Sequence, residues 1–311
     1  MIILIGFISS FTLTLLFTPY LILYLKKNKI VDNPDERRIH QNAIPRMGGL
    51  VIYIVALITL LLCSDDLYQI KILFITSFFI FVCGFVDDIM GLKWNAKFIL
   101  QFISAALLVF YLQSEYSTFK FFFLEIPFEY SIPLLIFFTI GAFNSVNLLD
   151  GLDGLASGFA LIVFVLILGL AYLLNIPFLM IFSGIMIGSL IGFLRFNAYP
   201  AKIFLGDLGS LTLGFSLVLS TLLLSINSGV LDLTFSFIVL ALPIIDTIRV
   251  MLHRIWNNRN PFHPDLNHIH HRLMNIDIPH KIVVVILHVV SSLYILTGFG
   301  STLRPKANIS P

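Results

Sequence analysis

The chain has 311 residues, 58% hydrophobic and 12% charged, with a formal net charge of +2 and a mean hydropathy of +0.98. Its apolar residues come in long blocks and not at period 2 or 3.6, which excludes a water-soluble domain and points to a polytopic membrane protein. The few charges are segregated into short loops, so no basic patch is available for nucleic acid.

Apolar blocks that predict membrane helices lie near residues 1–25, 48–63, 72–86, 98–113, 132–149, 155–174, 178–194, 209–225, 232–250 and 282–300. Lipid offers the backbone no hydrogen-bond partners, and continuous apolar runs do not fit the alternation of a barrel. The expected architecture is therefore all-α, with about ten transmembrane helices in one domain spanning 1–311. The first block lacks a basic leader and a small-residue cleavage site and runs into Lys26, Lys27 and Lys29, so it reads as an uncleaved span with its N-terminus outside. On that topology the inside loops, counting Arg249 at the membrane edge, hold fifteen of the nineteen Lys and Arg residues. Cys63 and Cys83 fall at different depths, offset by roughly 17 Å at 1.5 Å per helical residue, which argues against a disulfide.

The unusual polar residues gather on the inside face. The first inside loop, "IVDNPDERRIHQNAIPRMGGL", carries Asp32, Arg37, Arg38, His40 and Arg46, and its Pro45 to Gly49 run suggests a fixed backbone entering the second span. "GFVDDIMGL" ends the third span with Asp87 and Asp88, although acids at a helix C-terminus oppose the macrodipole unless a cation sits nearby. "NSVNLLDGLDGLASG" joins the fifth and sixth spans. Asn147 and Asp150 are three apart, as are Asp150 and Asp153, so helical turns would place them on one side, and Gly151 and Gly154 permit a tight reversal. "KIFLGDLGSLTLG" sets Asp207 between glycines in a helix N-cap region, where open N–H groups admit a phosphate or metal. "PIIDTIR" places Asp246 and Arg249 three apart as a charge pair near a span interior. "NRNPFHPDLNHIHHRLM" supplies His263, Asp265, His268, His270, His271 and Arg272. Without the Glu of HExxH this reads better as a donor cluster for anionic oxygen than as a transition-metal site.

Five carboxylates facing a histidine and arginine cluster suggest a magnesium-diphosphate site, because Mg²⁺ takes one or two carboxylates plus substrate phosphates. A solvated rim or ordinary turn explains any single cluster, and intramembrane charges can mark a transport pathway, so an ion-coupled transporter and a membrane lipid-diphosphate phosphatase stand as alternatives. Over residues 32 to 273 the motifs "DNP…RxxHxxxIPRMGG", "VDD…GL", "NxxNLLDGLDGL", "FLGDLGS", "PIIDTIR" and "PFHPDxxHIHHRL" occur in one order. That series resembles the polyprenyl-phosphate N-acetylhexosamine-1-phosphate transferases, glycosyltransferase family 4. Its histidine segment is similar to the branch that uses UDP-GlcNAc or related sugars, whereas phospho-MurNAc-pentapeptide transferases carry three consecutive histidines. Bacterial relatives usually have one span more than the ten expected here.

The resemblance implies transfer of an N-acetylhexosamine 1-phosphate from a UDP-sugar to undecaprenyl phosphate, giving a lipid diphosphosugar and UMP for cell-surface polysaccharide synthesis. It implies Mg²⁺, with Mn²⁺ as a substitute, at Asp207. Asp87 and Asp88 are expected to position metal or acceptor phosphate, one of them accepting a proton, and Asp150 and Asp153 complete the catalytic set beside Asn144 and Asn147 on the nucleotide side. His268, His270, His271, Arg272 and Arg46 are expected to meet the anionic UDP-sugar. The implied setting is a bacterial inner membrane with the active site facing the cytoplasm, and a homodimer is compatible with it.

Overall fold

The computed structural model describes residues 1–32, 43–224, 230–260 and 267–302. Arg37, Arg38, His40, His263 and Asp265 lie outside the described residues. Each predicted apolar block falls on helix: α1 (Ile2–Lys27), α2 (Gly49–Cys63), α3 (Leu67–Met90), α4 (Trp94–Glu115), α5 (Phe128–Leu149), α6 (Leu155–Leu173), α7 (Pro177–Asn197), α8 (Gly206–Leu223), the pair α9 (Leu233–Val239) and α10 (Ala241–Trp256), and α12 (His280–Thr302). A short α11 (Ile269–Met274) precedes α12.

Seven of these helices are long and apolar enough to cross a membrane, or eight if the bent α9–α10 pair is one span. α2 and the described apolar part of α12 are shorter. The helix expected over 232–250 is broken by an 80° bend at Leu240. Pro243 supplies a cause, since it has no N–H for the carbonyl of Val239 four residues back and its ring crowds that carbonyl.

The expectation of helices alone is corrected in the loops. β1 (Val31–Asp32) pairs antiparallel with β2 (Ile44–Pro45). The segment between α4 and α5 holds an antiparallel hairpin, β3 (Thr118–Phe121) with β4 (Leu124–Pro127), and β3 also pairs in parallel with β5 (Val230–Asp232). Two- to four-residue strands are too short to leave a readable alternation in a sequence dominated by 3.6-residue packing.

α8 lies at the centre, packed against α2, α3, α5 and α6, and is hydrophobic all round as a central helix must be. Two of its buried hydroxyls bond back to its own backbone, Thr212 Oγ1 to the Leu208 carbonyl (2.6 Å) and Ser216 Oγ to the Thr212 carbonyl (2.8 Å), which satisfies them inside the bundle. Missing side chains let backbones touch: a Cβ on Gly84 would lie 2.3 Å from Leu208 Cα, and one on Gly49 2.0 Å from Gly209 Cα. These contacts bring the C-terminal end of α3 and the N-terminal ends of α2 and α8 to one end of the bundle. Cys63 and Cys83 are both free, as their depth offset predicts.

Candidate active site

At that end a cavity of about 1050 Å³ opens, lined by Arg46, Asp88, Asn147, Asp150, Asp153, Asp207, His271 and His280 among others. Asp207 enters it from the first turn of α8. Gly206 before it holds φ +78°, and a Cβ there would lie 2.7 Å from Asp88 Oδ2, so only glycine fits this turn. Asn147, from the last turn of α5, donates to Asp207 Oδ1 and to Ser210 Oγ, both at 2.7 Å. The Asp207 side chain keeps 38% of its surface exposed, toward the cavity.

The two acids of α3 divide. Asp88, buried, accepts the N–H groups of Asp207 (3.1 Å) and Leu208 (3.0 Å) and so caps α8. Asp87 accepts the Leu92 N–H (2.7 Å) and forms an ion pair with Lys97 at the start of α4. The Lys97 ammonium also lies 3.7 Å from Asp207 Oδ2. Acids at the end of α3 thus find the counter-charge that the macrodipole argument demands, one in the N-terminus of α8 and the other in Lys97.

The loop after α5 brings Asp150 and Asp153 to the wall of the same cavity. Burial pushes the Asp150 carboxyl well above its usual range, and the charges of Asp207, Asp88 and Asp153 push the same way. Asp153 accepts the Ala201 N–H (2.9 Å), while its own N–H donates to His280 Nε2 (3.1 Å). The Tyr199 ring lies against His280 with centroids 4.7 Å apart.

Of the three histidines in α11 and its cap, only His271 lines the cavity. His270 is buried with its Nε2 against Gly151, where a Cβ would come within 2.2 Å. Burial, followed by the neighbouring His271 and His268, pushes His270 down to about 3, so it is neutral. His268 is buried against Asp246 instead of facing the cavity. Arg272 is exposed and Asn144 pairs with Gln101 of α4 by reciprocal amide bonds (2.7 and 3.2 Å), both away from the cavity wall. Lys97, His280 and Tyr199 were not singled out from sequence. A lone lysine three residues into a span gives no pattern, and the other two sit outside any histidine or acidic cluster.

The donor set suits a hard divalent cation. Asp207 offers carboxylate oxygen at the cavity wall with an amide holding its other oxygen in place, and Asp150 adds a crowded, desolvated carboxyl. Among the described residues no group of three or more His, Cys, Asp or Glu side chains is placed to hold a metal. Such a set fits Mg²⁺ completed by substrate phosphates and water better than a closed protein cage.

A helical bundle with a polar, acid-rich cavity at one end defines a multi-pass membrane enzyme. The family model for glycosyl transferase family 4 matches residues 70–225. The chain is 34% identical over 302 residues to the probable undecaprenyl-phosphate N-acetylglucosaminyl 1-phosphate transferase of Bacillus subtilis (strain 168), covering 95% of this chain and 84% of that protein. It is also 34% identical over 284 residues to the phospho-N-acetylmuramoyl-pentapeptide-transferase of Borrelia turicatae (strain 91E135), covering 79% and 81%, and 33% identical over 240 residues to that of Wolbachia pipientis wMel, covering 70% and 73%. The chain belongs to glycosyl transferase family 4, among the polyprenyl-phosphate N-acetylhexosamine-1-phosphate transferases.

Proposed function

We propose that this chain transfers an N-acetylhexosamine 1-phosphate from a UDP-sugar to undecaprenyl phosphate, releasing UMP and initiating a cell-surface polysaccharide on the cytoplasmic face of a bacterial inner membrane. The observation that carries the reading is the placement of Asp207, held by Asn147, in the wall of one cavity shared with Asp150 and His271 and large enough for a nucleotide diphosphate. A phosphate monoester with a second pKa of about 6 is already largely dianionic at pH 7, so positioning and charge neutralisation outweigh general-base help.

An oxygen of the acceptor phosphate attacks the β-phosphorus, the bond from that phosphorus to the bridging oxygen breaks, and UMP leaves with that oxygen. Bound Mg²⁺ supplies charge neutralisation for the diphosphate, with Asp207 and Asp150 as the residues to hold it. Arg46 and His271 neutralise or donate to oxygens left uncovered. The oxygens of Asp87 and Asp88 are taken up by Lys97 and backbone N–H groups, which supports direct attack by the acceptor over an aspartyl intermediate on α3. The alignment over 95% of this chain and the HxHH segment favour UDP-GlcNAc over a MurNAc-pentapeptide donor.

Purified protein with undecaprenyl phosphate, Mg²⁺ and a panel of UDP-sugars tests this. UDP-GlcNAc or a close N-acetylhexosamine is expected to give lipid-linked product. Turnover with none of the UDP-N-acetylhexosamines would contradict it.

A further inference from the structure

The histidine segment holds two kinds of imidazole. His271 lines the cavity, but His268, the residue before α11, turns away from it. Its Nδ1 lies 2.8 Å from Asp246 Oδ2 in α10, with both side chains buried. The other oxygen of Asp246 accepts the Ile269 N–H (3.0 Å) and Arg249 Nη2 (2.7 Å), and Arg249 also donates to the Asn267 carbonyl. An ionised carboxylate only accepts, so His268 Nδ1 carries the proton of this bond. From there the segment is stacked inward: the His268 and His270 rings lie 5.9 Å apart and nearly parallel, His270 seats on Gly151, and the His271 ring follows 4.3 Å from His270.

We propose that Asp246 and His268 are positioning residues and not substrate ligands: together they clamp the first turn of α11 to α10, so that His270 seats against the 150–154 loop and His271 faces the donor substrate. The clamp explains why a carboxylate stands beside Pro243 at the bent α9–α10 pair: it fixes two N-terminal groups of α11 and one side chain at once. Replacing either partner frees the turn, and the loss reaches substrate through His271.

The kinetic consequence rests on the transferase reading above; the conformational one does not. Amide hydrogen exchange on the full-length protein in nanodiscs is expected to accelerate by about 10-fold or more over 268–275 in Asp246→Asn and His268→Ala, the scale of one charge-assisted hydrogen bond, with α8 unchanged. His268→Asn, whose amide places a donor near the position of Nδ1, is expected to restore protection. In turnover, Asp246→Asn and His268→Ala should each raise KM for the UDP-sugar by about 10- to 100-fold with KM for polyprenyl phosphate unchanged, and the double variant should be no worse than the weaker single. Unchanged exchange over 268–275, no recovery with His268→Asn, or multiplying losses in the double variant would overturn the clamp and return His268 to the substrate. Wild-type protein without transfer would refute the proposed function while leaving exchange to decide the clamp.

Discussion

Asp88 and Leu208 meet across two helices, the carboxylate ending α3 accepting the backbone N–H in the first turn of α8 at 3.0 Å. Asp207, one residue earlier, gives its N–H to the same carboxylate but sends its side chain into the cavity. The two acids should therefore fail differently. Asp88→Asn is expected to lower stability by about 1.5–3 kcal/mol, the worth of hydrogen bonds to a charged group, and activity with it. Asp207→Asn is expected to abolish transfer with stability within about 0.5 kcal/mol of wild type. Melting curves in detergent beside UMP release separate them, and identical behaviour would refute the division.

Lys97 bonds Asp87 and approaches Asp207, so its ammonium competes with a metal for the same oxygens. Lys97→Met should raise the apparent affinity for Mg²⁺ severalfold and reduce turnover. A Mg²⁺ titration showing an unchanged midpoint and full turnover would remove Lys97 from the site.

Burial and three neighbouring acids raise the Asp150 carboxyl well above its usual range in the metal-free protein. Because the unfolded chain ionises first, near 3.8, this group costs stability as pH rises above that value. Asp150→Asn removes the cost: its melting temperature at pH 7 should exceed wild type, the gain should vanish below about pH 4, and transfer should be lost. A less stable variant at pH 7 would contradict the assignment.

His270 shifts stability the other way. Its folded value of about 3 lies below the unfolded 6.5, so the unfolded state takes up a proton first as pH falls through 6.5. Stability should then drop by up to about 1.4 kcal/mol per pH unit, levelling near pH 3, and His270→Gln should flatten that slope. His271→Ala, by contrast, should leave the slope and cost about 10- to 150-fold in UDP-sugar binding or turnover. Equal slopes in wild type and His270→Gln would refute the first expectation.

The sequence made the acids and histidines visible because carboxylates and imidazoles are conspicuous beside apolar spans, and Asp87, Asp88, Asn147, Asp150, Asp153 and Asp207 do converge at one end of the bundle. It could not show which of them face substrate. Asp88 and Asp87 stand in one motif, yet backbone N–H groups occupy one and Lys97 the other, and those partners lie 10 to 120 residues away. Asp246 and Arg249 read correctly as a pair, but His268 joins them from 22 residues on. Asn144 looks equivalent to Asn147 by spacing, though Gln101 of α4 claims its amide. Local pattern fixes helices in lipid; tertiary partners decide what each polar side chain does.

The most direct test follows both halves of the donor: UDP-GlcNAc labelled in its β-phosphate and in its sugar, purified protein in detergent, undecaprenyl phosphate and Mg²⁺. Both labels should enter the organic phase together, with one UMP released per lipid product and none when the lipid or Mg²⁺ is withheld. Release of UDP with only the sugar label on lipid, or of labelled inorganic phosphate, would contradict transfer of the sugar 1-phosphate.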